Sequence, residues 1–134
     1  REPMAGPMAS YDALEIRALA ALAEGDPKSA IELLEQMKKL AVSAFGSVDI
    51  DRRTALAAAH RMDGRLEKAV EAHTAMLRIH GGHALSHYEL GALYDEMKRP
   101  AEAKREYAKF LEMWSEADED LPQLVDAKKR FAAL

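Results

Sequence analysis

Between Ala84 and Trp114, "ALSHYELGALYDEMKRPAEAKREYAKFLEMW", apolar and polar positions follow the three-to-four-residue period of two amphipathic helices. Small residues interrupt that pattern at Gly91 and Ala103. A glycine inside a helix costs about 1 kcal/mol relative to alanine, so Gly91 predicts a neighbour packed too close for a side chain. The same layout occurs upstream. In "RLEKAVEAHTAML", Ala69, His73, Met76 and Leu77 stand 34 residues before Ala103, Tyr107, Phe110 and Leu111, and Leu56, Ala57 and His60 stand 34 before Leu90, Gly91 and Tyr94. Both helices of a two-helix unit therefore repeat with one period.

A third copy lies N-terminal. Gly25 and Asp26 predict a turn before "PKSAIELLEQM", where Ala30, Leu34 and Met37 keep the spacing of Ala69, His73 and Met76, now at an offset of 39. The five extra residues belong to Leu40–Asp49, as an added helical turn or a longer loop, and the apolar Phe45 and Val48 are expected to pack on the stack. Gly64 separates the helices of the middle unit, and Gly81 and Gly82 end its second helix. Pro27 and Pro100 sit near the starts of second helices, where a missing N–H is harmless. After the acidic "SEADED", Leu121, Leu124, Val125, Lys128 and Phe131 predict one face of a last helix, with Lys129 and Arg130 near its C-terminal end. Such a helix would cap the apolar end of a repeat stack.

Spacing and residue types over roughly residues 11–115 resemble the tetratricopeptide repeat (TPR). Leu90, Gly91, Tyr94, Ala103 and Tyr107 carry the likeness in the last unit; the middle unit has His60 and His73 where aromatics are usual, and the first has Arg17 for the leucine and Ala21 for the aromatic. The resemblance implies an all-α fold, an α-solenoid of about three helix-turn-helix repeats (about 11–40, 50–83 and 84–115) plus a capping helix (about 121–134). Residues 1–9 are read as a linker or an appended remnant, and 10–134 as a single TPR-like domain. The C-terminal part is also similar to the ends of bacterial multidomain signalling and regulatory proteins, which implies a piece of a larger regulatory protein.

Composition narrows the function. With 49% hydrophobic and 31% charged residues in 134, the chain reads as a globular domain, and no apolar run approaches the roughly 20 residues of a bilayer helix. Its 19 basic and 23 acidic residues give a net charge of -4, which argues against general nucleic-acid affinity. There is no cysteine, phosphate-binding glycine loop or nucleophile-and-base set, so neither an enzyme nor a cofactor is expected. His80, His83 and His87 are the nearest approach to a metal-ligand cluster, but they lack a complete ligand set and no metal is expected. His60 and His73 read as a buried, hydrogen-bonded pair. A cytoplasmic location is the expectation.

The resemblance implies a binding groove lined by the first helix of each repeat. Residue by residue, that face takes Asp12, Glu15, Leu19 and Leu22, then Asp51, Thr54, Ala58, Arg61 and Met62, then Leu85, Tyr88, Ala92, Asp95 and Glu96. Five acids against one base predict an acidic groove with apolar patches. Family members that clamp chaperone C-termini use lysines, asparagines and an arginine, where this chain has Glu15, Leu19 and Thr54, so a carboxylate clamp is not expected. The leading expectation is a protein-interaction module for a basic or amphipathic segment of another protein or of its own parent chain. The alternatives are a self-association module and a small-molecule pocket lined by Tyr88, Met62 and the histidines.

Overall fold

The computed structural model describes residues 7–40 and 46–134, and among them it contains seven helices and no strand. In chain order these are α1 (Pro7–Ala23), α2 (Pro27–Lys38), α3 (Gly46–Met62), α4 (Leu66–Ile79), α5 (Ala84–Glu96), α6 (Pro100–Met113) and α7 (Pro122–Ala133). Residues 7–9, assigned by the sequence to a linker, are helical. The extra residues before the middle repeat lengthen its first helix: α3 has 17 residues where α5 has 13. Phe45 and the side chain of Val48, expected on the stack, lie outside the described residues.

The same turn joins each first helix to its second. Asp26 N–H donates to the Ala21 carbonyl and Gly25 N–H to that of Leu22, at 2.8 and 3.1 Å; Arg65 to His60 and Gly64 to Arg61 repeat it, as do Arg99 to Tyr94 and Lys98 to Asp95. This double bond closes a helix on a residue in the left-handed region. Gly25 (φ 76°) and Gly64 (φ 77°) suit that position, but the last turn has Lys98 at φ 61°. A side chain there costs about 1–2 kcal/mol. Lys98→Gly is expected to stabilise the protein by about 1 kcal/mol, while Lys98→Ala, which keeps the Cβ, leaves the melting temperature nearly unchanged. Thermal melts of the two variants check this.

Asp26 then caps α2, its carboxylate accepting from Ser29 N–H at 3.2 Å, with Pro27 next in sequence. Hydrogen bonding from the Ser29 side chain, and then from this N–H, holds the carboxyl below its ordinary value.

The chain divides into two compact units, Arg1–Ala72 and His73–Leu134, and the division falls inside α4. The first unit packs α1, α2 and α3 around a core rich in small residues: Tyr11, Leu34 and Met37 interleave with Ala18, Ala21, Ala30, Ala55 and Ala59. Alanines at helical spacing let the axes approach, and the three large side chains fill what remains. The second unit has an aromatic core. Tyr107 and Phe110 of α6 are fully buried with Ala84, Ala103, Leu124 and Ala127, and the rings of Tyr88, Phe110 and Trp114 follow one another at 5.3 and 4.7 Å.

Within the second unit, α7 packs on α6 and buries Leu124 and Ala127, with Leu121 and Phe131 half-buried beside them. Val125 and Lys128, assigned by the sequence to this inward face, are exposed. The inward stripe runs instead through 121, 124, 127 and 131, equally compatible with helical spacing.

Candidate functional site

In the first unit, α1, α2 and α3 line an open cavity of about 350 Å³. From α1 it takes Glu15, Leu19 and Leu22, from α2 Leu34, and from α3 Asp51, Arg52, Thr54, Ala55 and Ala58. Six of the residues assigned to the groove by sequence are thus brought together: Glu15, Leu19, Leu22, Asp51, Thr54 and Ala58. Asp12 is exposed one turn before Glu15, while Arg61 and Met62 lie beyond the cavity on α3, Met62 exposed.

The cavity has an apolar wall and an acidic rim. Burial raises the Glu15 carboxyl above its ordinary range, and the neighbouring Asp51 and Asp12 add to the effect. Beneath lies an ion-pair group that sequence reasoning missed. Asp49 and Arg52 are buried, with Arg52 Nη2 3.0 Å from Asp49 Oδ1, and Arg53 Nε reaches Asp49 Oδ2 at 2.8 Å. One carboxylate therefore holds two guanidinium groups, and Arg52 Nε is left buried without an acceptor. The Asp-x-x-Arg-Arg spacing on one helix was the available signal.

The second unit treats its assigned groove residues differently. Leu85 and Tyr88 pack against the aromatic core. The Tyr88 hydroxyl donates to Asp126 of α7 at 2.5 Å, Asp126 also accepts from Arg130 Nε at 2.9 Å, and Arg130 Nη1 lies 3.5 Å from Asp95. Burial, then the bond to Asp126, pushes the Tyr88 hydroxyl well above its usual range, while the Tyr88 bond holds Asp126 low. Burial also raises Tyr107 to about 12. Tyr88 and Asp95 therefore meet the chain's own C-terminal helix. Ala92 is half-buried and Glu96 is exposed. A second cavity of about 360 Å³, lined by Asp95, Asp126, Lys129, Arg130, Ala133 and Leu134, carries mixed charge.

His73 and His83 share one partner, and His87 has another. His83 and His73 both approach the Ser86 hydroxyl through Nδ1, at 2.8 and 3.3 Å, and His87 Nδ1 lies 2.9 Å from Glu106. Ser86 is fully buried, so this arrangement ties α4 to α5 inside the unit and presents no nucleophile. The expectation of hydrogen-bonded histidines at 60 and 73 fails for His60, whose Nδ1 is buried without a partner, while His73 turns to Ser86. Burial lowers both His60 and His83 below the ordinary histidine value. Among the described residues no three His, Cys, Asp or Glu side chains converge as a metal site, and His83 and His87 turn to Ser86 and Glu106.

Paired helices with a recurring turn, small residues at the crossings and no strand among the described residues define an all-α solenoid of TPR-type helical repeats. The fold is shared by the crystal structure of PcrH in complex with the chaperone binding region of PopB, at a TM-score of 0.77 and 9% identity, covering 97% of this chain and 99% of that one. The crystal structure of MamA matches at a TM-score of 0.64 and 18% identity, over 91% of this chain and 74% of that one. No protein-family model and no curated protein matches the sequence.

Proposed function

We propose that this chain is a protein-interaction module, not an enzyme, and that it holds a basic or amphipathic segment of another protein, or of its own parent chain, on the acidic, partly apolar face of its first unit. The carrying observation is the cavity between α1 and α3, where Glu15 and Asp51 stand over Leu19, Leu22 and Ala58 with no cation paired to either acid among the described residues. An apolar wall supplies affinity through burial, and an unmatched acidic rim selects a cationic partner. The PcrH structure, solved with a region of PopB, supports a polypeptide as the kind of partner a fold of this type accepts.

The test uses a fluorescein-labelled synthetic Leu/Lys/Ala helix of about five turns, with anisotropy measured at low and high salt. Its affinity is expected to fall as salt shortens the screening length from about 10 Å at 0.1 M to about 3 Å at 1 M. Reversing Glu15 and Asp51 to lysine should weaken binding at least about tenfold, a change of about 1.4 kcal/mol. Reversing Glu116 and Glu119, exposed in the acidic turn, changes net charge equally and should alter affinity less than about twofold. Equal losses, or none, would remove the first unit's cavity as the binding face. Self-association has one observation in its favour, Ile16, which is 68% exposed on α1; a concentration-dependent mass in sedimentation, abolished by Ile16→Glu, would move that reading ahead.

A further inference from the structure

The binding face of the first unit has a direction. Along α1 the cavity residues run Glu15, Leu19, Leu22, and along α3 they run Asp51, Arg52, Thr54, Ala55, Ala58. Each series begins with an acid and ends in apolar side chains. Glu15 and Asp51 both line the cavity and head their two series, and Asp12 stands one turn earlier on α1. At 1.5 Å per residue, Glu15 to Leu19 spans about 6 Å, and Glu15 to Leu22 or Asp51 to Ala58 about 10 Å.

The buried cation is not paired with these acids. Arg52 lines the cavity, but its Nη2 is held by Asp49, which Arg53 also engages. That group sets two guanidinium groups on one carboxylate and makes no ion pair with Glu15 or Asp51, and Arg52 Nε is left without an acceptor. Asp12, Glu15 and Asp51 form no ion pair among the described residues. Burial first, and then the charges of Asp51 and Asp12, raise the Glu15 carboxyl. A bound cation would relieve that repulsion, and it can do so only at the acidic end.

Resting on the interaction-module reading, we infer that the cavity recognises a two-point pattern: an aliphatic side chain in the Leu19–Leu22–Ala58 end and a lysine or arginine about 6–10 Å away at the Asp12–Glu15–Asp51 end. On a partner helix this is a leucine and a lysine one turn apart on the same face. A volume of about 350 Å³ lies at the low end for ligand pockets and suits anchoring side chains of a longer segment.

Two synthetic helical peptides of identical composition and net charge test this. The matched peptide carries Leu and Lys at i, i+4; the mismatched one places the lysines on the face opposite the leucines. The matched peptide should bind at least about tenfold tighter, equivalent to about 1.4 kcal/mol. Leu19→Gln alters a side chain already 49% exposed, and should erase that preference while leaving salt-sensitive binding of both peptides. Glu15→Gln should weaken the matched peptide and leave the mismatched one unchanged. Circular dichroism melts establish that each variant is folded, and Glu15→Gln decides the matter alone if Leu19→Gln is not. If both peptides bind equally and both weaken with salt, the polarised cavity is overturned and the interaction module stands. If neither binds at up to millimolar concentration, both readings fall.

Discussion

Alanine at position 91 is expected to destabilise the protein by about 1–3 kcal/mol, although alanine is the better helix former by about 1 kcal/mol. A Cβ at Gly91 would lie 2.7, 2.8 and 2.9 Å from Cε1, Cδ1 and Cζ of Tyr107. That ring is fully buried and packed against Tyr88, so it cannot swing away. The sequence predicted close packing at Gly91; the neighbour is an aromatic ring lying across the glycine, with Ala103 buried in the same core. Gly82 is the control, because a Cβ there meets nothing within 4 Å and its φ lies outside the left-handed region. Gly82→Ala should leave the thermal melt close to wild type. Tyr107→Phe keeps all three clashing atoms and should not rescue Gly91→Ala, whereas Tyr107→Leu should show a favourable coupling with it. Equal melts for Gly91→Ala and Gly82→Ala would refute the assignment.

Removing Leu121–Leu134 should have a still larger effect. Leu124 and Ala127 are buried against the aromatic core, Leu121 and Phe131 half-buried, and Asp126 and Arg130 tie α7 to Tyr88 and Asp95. Each large apolar side chain contributes about 1.5–3 kcal/mol when fully buried, so the loss amounts to several kcal/mol. It also uncovers Tyr88, Phe110 and Trp114 as a contiguous apolar surface. The truncated chain is expected to melt at a lower temperature and to associate, as read by static light scattering. Leu124→Ala, expected to cost about 2–5 kcal/mol, tests the same contact in the full chain. An unchanged monomer with an unchanged melt would remove the capping role. Tyr88→Phe separates the latch from the packing, since it loses only the bond to Asp126.

The structure also changes which acids are informative about binding. Asp95 stands in the same sequence pattern as Glu15 and Asp51, but it lies 3.5 Å from Arg130. A charge reversal there would disturb α7 as well as any partner. Glu15 and Asp51 carry no such tie, and they are the positions at which a binding defect can be separated from a folding defect.

What the sequence determined by itself is local or periodic. The 34-residue spacing, the glycine turns at Gly25 and Gly64 and the proline starts of α2 and α6 were legible because turn geometry and helical rotation depend on a few neighbouring residues. The same rule places Glu15, Leu19 and Leu22 on one side of α1. Lys98 escaped it, because nothing in a lysine announces a left-handed backbone; the closing bonds of the turn hold it there. Only the tertiary structure decided what each face meets. Asp126 and Arg130 reach α5 from more than thirty residues away, and Glu15 shares a cavity with Asp51 across an intervening helix. Helical period sets the direction in which a side chain points, but charge pairing and burial depend on which distant segment arrives there, and that follows from packing of the folded units.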